Sequence, residues 1–183
     1  MVRCKWCNLK NDIYVEYHDN EWGILNLDEQ YLYEMLILES FQAGLSWECI
    51  LNKRENFKKA YDNFDIDKVV LYNDDKINEL MLNKGIIRNK NKIIYSIKNS
   101  IIFKEIQKEF GSFKNYLESF TKGIIFYENN FVKSSLSDEI SFDLTKRGMK
   151  YVGSVIIYSY LQAIGIINSH DEICELNKKN LTN

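Results

Sequence analysis

Lys146-Arg147-Gly148-Met149-Lys150-Tyr151-Val152-Gly153 is a short basic connection between two helical stretches, with Gly148 and Gly153 marking its ends. Gly148 is free to take φ > 0 after the first helix, and Gly153 lets the backbone come close to a ligand where the second begins. Exposed N–H groups there, with the helix dipole behind them, form an anion site suited to a phosphodiester. Lys146, Arg147 and Lys150 add positive charge beside it. The segment therefore has helix-hairpin-helix character. An ordinary αα-hairpin with solvated lysines fits the same residues, so the rest of the chain has to decide.

Helical periodicity extends on both sides of the hairpin. Downstream, Ser154 to Ile164 reads as a buried helix through Val155, Ile156, Ile157 and Leu161; upstream, Ser137-Asp138-Glu139 opens another. A long helix is expected from about Asn91 to Glu109, with Ile93, Ile94, Ile97, Ile101 and Ile106 along one stripe and Gly111 at its end. Phe113 to Phe120 suggests a shorter one closed by Gly123. Asp28 caps a helix that runs to Gly44, Trp47 to Tyr61 reads as a second, and Asp65 caps a short third. Asn73-Asp74-Asp75 starts a further helix, with Gly85 at its C′ position. Residues 124–136 show no sustained period and read as a loop. Strand signals are weak throughout, so the expected fold is all-α and compact, one domain over residues 1–183.

The composition is that of a globular chain: 183 residues, 45% hydrophobic, 14% aromatic, net charge −2. That charge argues against a protein that coats nucleic acid indiscriminately but leaves room for a local basic face. Two further basic clusters, Lys84/Arg88/Lys90/Lys92 and Lys53/Arg54/Lys58/Lys59, fit such a face or solvated helix surfaces. No signal segment or long apolar span is evident, which points to a cytoplasmic protein with no membrane partner. In a reducing compartment four cysteines favour metal binding over disulfides.

The two histidines each have cysteine near them: Cys4 before His18, and Cys174 four residues after His170. On a helix that last spacing puts both side chains on one face. Four such protein ligands would close a zinc site, making it structural and not a water activator; a zinc hydrolase would need an open position. Chance proximity at each end fits the spacing equally well. Cys4-Lys5-Trp6-Cys7 is also a C-x-x-C, and Cys49 reads as a buried thiol.

Two stretches concentrate chemistry. Tyr14-Val15-Glu16-Tyr17-His18-Asp19-Asn20-Glu21-Trp22-Gly23 mixes aromatic, acidic and amide groups without clear amphipathic period. In Leu38-Glu39-Ser40-Phe41-Gln42-Ala43-Gly44-Leu45-Ser46-Trp47, Glu39 interrupts an apolar helical face, which is costly unless the carboxylate is paired, exposed or functional.

Taken in order, Arg3-Cys4-x-Trp6, Tyr17 through Gly23, Gln42 through Trp47 with Lys53-Arg54-Glu55-Asn56 behind it, Gly85-Ile86-Ile87-Arg88, and Lys146-Arg147-Gly148 through Val152-Gly153 resemble the 3-methyladenine DNA glycosylase I family over almost the whole chain. The resemblance implies a bacterial base-excision repair enzyme of the helix-hairpin-helix glycosylase superfamily, a monomer that hydrolyses the N-glycosidic bond of 3-methyladenine in alkylated double-stranded DNA and releases the free base. It implies one structural zinc on Cys4, His18, His170 and Cys174, joining segments 1–25 and 165–183. Glu39 and Tyr17 match catalytic positions that hydrogen-bond the extruded base; Trp47, Trp6 and Tyr14 match the base-binding aromatic set. Leu45 matches a loop that probes the duplex, with Gly148, Lys150 and Gly153 as DNA contacts. A zinc-stapled module that recognises damaged DNA without cutting it is the alternative from another class.

Overall fold

In the computed structural model, residues 1–177 are described; residues 178–183 of the expected C-terminal segment lie outside them. The chain runs α1 (Asp12–Asn20), α2 (Glu29–Gln42), α3 (Trp47–Leu51), α4 (Arg54–Ala60), a 3₁₀ turn (Asp62–Phe64), α5 (Ile66–Val69), α6 (Asp74–Leu82), α7 (Lys90–Phe110), α8 (Phe113–Thr121), β1 (Phe126–Tyr127), α9 (Ser135–Lys146), α10 (Ser154–Ala163) and β2 (Ile167–Asn168). No described helix is long and apolar enough to cross a membrane.

The architecture follows from α2. Asp28 caps it by accepting from Tyr31 N, and the run from Leu32 to Phe41 is buried throughout. A helix apolar on every side needs neighbours on every side, and α3, α7, α8 and α10 supply them. α7 contributes more than isoleucine to this core. Its buried Ser96 and Ser100 pair with the Tyr61 and Tyr33 hydroxyls at 3.0 and 2.6 Å, so the stripe carries its own polar partners. Ile101, expected on that stripe, is exposed, and Phe103 is buried in its place.

Several expected boundaries differ. The helix expected from Trp47 to Tyr61 is broken at Asn52 and Lys53, where Asn52 accepts from Asn11 Nδ2 and Arg54 turns toward Glu21 and Glu34. α6 ends at Leu82 with Asn83 as its C-cap, so Gly85 does not end it. A Cβ on Gly85 would lie 3.0 Å from Asn56 Cγ, so close packing against α4 is what that glycine permits. The stretch from Tyr14 to Gly23, read as aperiodic, takes in most of α1. The region read as a loop pairs β1 with β2 in parallel, Phe126 opposite Ile167 and Tyr127 opposite Asn168; two residues are too few to show alternation in sequence.

The hairpin joins α9 to α10. Gly148 has φ +105, and Gly153 caps α10 without a side-chain bond to its first turn. Asn99 on α7 grips the connection from below: its Nδ2 donates to Lys150 O at 2.9 Å and its Oδ1 accepts from Lys150 N at 3.1 Å. Arg147 is committed elsewhere, to Glu109 and Asp143, which leaves Lys146 and Lys150 as the hairpin's exposed cations.

Candidate active site

A cavity of about 290 Å³ opens between the N-terminal segment, α2, α3 and α10. Of the residues singled out in the sequence, it brings together Trp6, Tyr14, Tyr17, Glu39 and Trp47. α1 presents Tyr14 and Tyr17, three residues apart and thus on one face. The Tyr17 and Trp47 rings meet at 5.5 Å, and Trp6 packs on Tyr14 at 5.2 Å and on Trp22 at 4.7 Å. Leu45 lies outside the lining set, 41% exposed on the turn between α2 and α3.

Glu39 is 2% exposed, and its Oε2 is buried with no partner. Burial holds its carboxyl well above the usual carboxylate range. Glu34, the other buried carboxylate of α2, shows what pairing looks like: Arg54 Nε donates to it at 2.6 Å. Three more polar atoms in the cavity wall are buried without partners, the indole N–H groups of Trp6 and Trp47 and Gln42 Oε1. Buried polar groups are nearly always satisfied, so this convergence marks a place built for a polar guest with an aromatic body.

Sequence reasoning left Gln42, Trp22, Asn130, Phe131, Ser159, Gln162, Ser169 and Asp171 without a role in this cavity. Ser159 and Gln162 lie on a helix read as purely buried, and their three-residue spacing was the available signal.

Behind the cavity, Cys4, His18, His170 and Cys174 are all buried, with one ligand atom from each within 4.8 Å of the others. Cys7 is not in the set; its thiol reaches toward Tyr14 O. Cys49 is half-buried. Residues 170–174 form a turn and not a helix, with Cys174 N donating to Asp171 O at 2.8 Å. The donors suit a metal. His18 Nδ1 lies 2.8 Å from Asp19 Oδ1 and His170 Nδ1 lies 3.1 Å from Asn168 Oδ1, which orients both Nε2 atoms inward. His170 Nε2 is buried and unpartnered. Burial, with His18 beside it, pushes His170 down to about 4, and burial pushes the Cys4 thiol up to about 12; a divalent cation at the centre would reverse the thiol's preference.

The cluster and the cavity share walls. His170 packs on Trp22 at 4.7 Å and His18 on Trp6 at 5.2 Å. Arg3 binds Asp19 through Nε and Nη2, and Lys5 N donates to Asp171 Oδ2 at 2.8 Å. Thus Trp6 and Tyr17 are held in place from both ends of the chain.

Comparison with known proteins places the chain in a family. The methyladenine glycosylase family profile matches residues 6–178. DNA-3-methyladenine glycosylase 1 of Escherichia coli (strain K12) is 37% identical over 177 residues, covering 93% of this chain and 94% of that protein. A crystal structure of 3-methyladenine DNA glycosylase I superposes with a TM-score of 0.91 at 35% identity, covering 96% of this chain and 99% of that one. A tyrosine-to-phenylalanine variant of a 3-methyladenine DNA glycosylase I, in complex with 3-methyladenine, gives 0.89 at 29% identity over 95% of this chain and 96% of its own. With sequence and fold in agreement over nearly its whole length, the chain belongs to the methyladenine glycosylase family.

Proposed function

We propose that this protein excises 3-methyladenine from alkylated double-stranded DNA by hydrolysing its N-glycosidic bond, acting as a monomer. The observation that carries the reading is Glu39: a buried carboxylate with an unpartnered oxygen, facing a cavity walled by Tyr17, Trp47 and Trp6. A base in a duplex must be turned out before its glycosidic bond can be reached, and the pocket that receives it needs stacking faces and polar edges.

3-Methyladenine in DNA is cationic, and cation and carboxylate suit each other here. Glu39 gains a charge-assisted hydrogen bond that reverses its preference for the neutral acid. Tyr17 and Trp47 add cation–π attraction of about 0.5–2 kcal/mol per contact. Normal adenine is neutral and gains less from both. Because methylation already makes the base a good leaving group, holding the cation is much of what the site has to do. Trp6 and Tyr14 complete the aromatic set, and the Glu39–Tyr17 pair fixes the base's polar edge.

On the DNA side, the helix-hairpin-helix element supplies a phosphate site at Gly148 to Gly153, with the N–H groups of α10's first turn and the exposed Lys150 beside it. Leu45 probes the duplex at the lesion. Zinc is the metal that fits Cys4, His18, His170 and Cys174; with four protein ligands it supplies folding order and no open coordination position.

The test is base release from methylated duplex DNA, with the freed purines identified chromatographically. Wild-type protein is expected to release 3-methyladenine, and Glu39→Gln to slow single-turnover release greatly while keeping the fold. Tight binding to methylated DNA without any release would favour a non-catalytic damage-recognition module; unchanged release by the Glu39→Gln variant would remove Glu39 from the mechanism.

A further inference from the structure

We infer that Phe131 is a base-contacting residue, the outer wall of the pocket that closes on the extruded 3-methyladenine. The inference rests on reading the cavity as the base site. Phe131 lines that cavity yet is 62% exposed. The cavity's other aromatic residues, Trp6, Tyr14, Tyr17, Trp22 and Trp47, all come from the first 47 residues. The side built by the second half of the chain is polar apart from Phe131, being made of Asn130, Ser159, Gln162, Ser169 and Asp171. A flat purine cation is held best with an aromatic face on both sides, and Phe131 is the residue that offers the second one.

The ring is carried on a fastened stem. Phe126 N donates to Ile166 O at 2.9 Å and Glu128 N to Asn168 O at 3.2 Å. With its amide oriented by the acceptors around it, Asn129 donates to Glu128 O and His170 O, each at 3.1 Å. Asn130 turns the chain with φ +65, and Ser134 and Ser137 cap α9 reciprocally just beyond. The tip, residues 130–133, is therefore short and tied at both ends, and its stem is bonded to the segment that brings Ser169 and Asp171 to the cavity. Position near the base is set by the fold, while the ring itself stays in water until a base arrives.

The test compares Phe131→Ala and Phe131→Tyr with wild type. The two readouts are kcat/KM for release of 3-methyladenine from methylated duplex and the inhibition constant of free 3-methyladenine. Phe131→Ala should lower kcat/KM and raise the inhibition constant by at least about fivefold each, the scale of a base–aromatic stack; Phe131→Tyr should stay within about twofold on both. An exposed side chain carries little folding risk, and an unshifted melting curve confirms it. Unchanged values for Phe131→Ala would overturn the assignment. So would a loss on duplex with free-base inhibition unchanged, which would make Phe131 a wedge in the DNA and not a wall of the pocket. Wild-type release of 3-methyladenine, measured alongside, separates failure of this assignment from failure of the base-site reading.

Discussion

Lys92 Nζ donates to the carbonyl oxygen of Ala43 at 2.6 Å, and to that of Phe41 at the same distance. A lysine read from sequence as part of a basic surface is instead the buried C-terminal cap of α2, complementing the negative end of its dipole. The ammonium also lies 5.6 Å from the Tyr151 ring. One side chain on α7 thereby ties the end of α2, next to Leu45, to the α9–α10 hairpin, so the two segments proposed to touch DNA share a fixed spacing.

Replacing Lys92 with Met leaves two carbonyls without their donor. The expected loss is about 1–3 kcal/mol, or roughly 3–10 °C in melting temperature for a chain of this size. Duplex affinity should fall as well. Calorimetry with a DNA-binding titration checks both, and an unaltered melting temperature would show that the cap is dispensable.

Glu39 costs stability, and the cost depends on pH. Its folded-state pKa is raised by burial, so above the unfolded value the native state holds a proton that the unfolded chain has released. Stability from this group therefore falls as pH rises through the ordinary carboxylate range toward the folded pKa. Glu39→Gln should melt higher than wild type at neutral pH, by about 0.5–2 kcal/mol, with the gap closing below about pH 4.5. A gap that stays constant with pH would contradict this account.

Arg54 bridges Glu21 at 2.7 Å and Glu34 at 2.6 Å, and it is largely buried. Truncation to Met removes the close partner of both, leaving Glu34 on α2 with Lys58 Nζ at 3.8 Å and Glu21 with the Tyr31 hydroxyl at 3.3 Å. A cost of about 3–5 kcal/mol is expected, with little relief from added salt because Glu34 is shielded. Thermal melts of Arg54→Met at low and high ionic strength provide the measurement.

Gly23 sits against the Cys4, His18, His170 and Cys174 cluster: a Cβ there would lie 2.8 Å from His170 Cε1, at a backbone φ of +73. Gly23→Ala should displace the His170 ring and lower metal content below the one ion per chain expected for wild type by elemental analysis. Chelation of the wild type should have the same consequence for excision as this variant, since both disorder Trp6 and Tyr17. Full metal loading and full activity in Gly23→Ala would refute the coupling.

Much of this was legible in the residues, for identifiable reasons. Asp28, Asn73 and Ser154 mark helix starts because capping and helix entry are local chemistry, and Gly111 marks the end of α7 in the same way. The mostly helical frame is legible because α7 and α10 are rich in apolar residues, although Ile101 and Val155, both expected to face inward, are exposed. α1 was not legible, because its inward side chains, Tyr17 and His18, face a cavity and a buried Cys/His cluster and so interrupt the apolar period. Lys92 was misread since nothing local distinguishes a lysine that will find two carbonyls from one in water. Phe131 reads from sequence only as part of a loop because its position depends on β1 lying beside β2, a pairing between segments about forty residues apart.

The cluster of Cys4, His18, His170 and Cys174 also sets an order of events in time. Trp6, Tyr17, Glu39 and Trp47 are all made early, but the residues that fasten the first two arrive more than a hundred positions later. At usual rates of synthesis the stretch from Trp47 to Cys174 takes on the order of ten seconds. Throughout that interval a nascent chain carries Trp6, Tyr17, Glu39 and Trp47 without His170 and Cys174 to pack behind them, so the cavity can be completed only after the last residues of this cluster emerge.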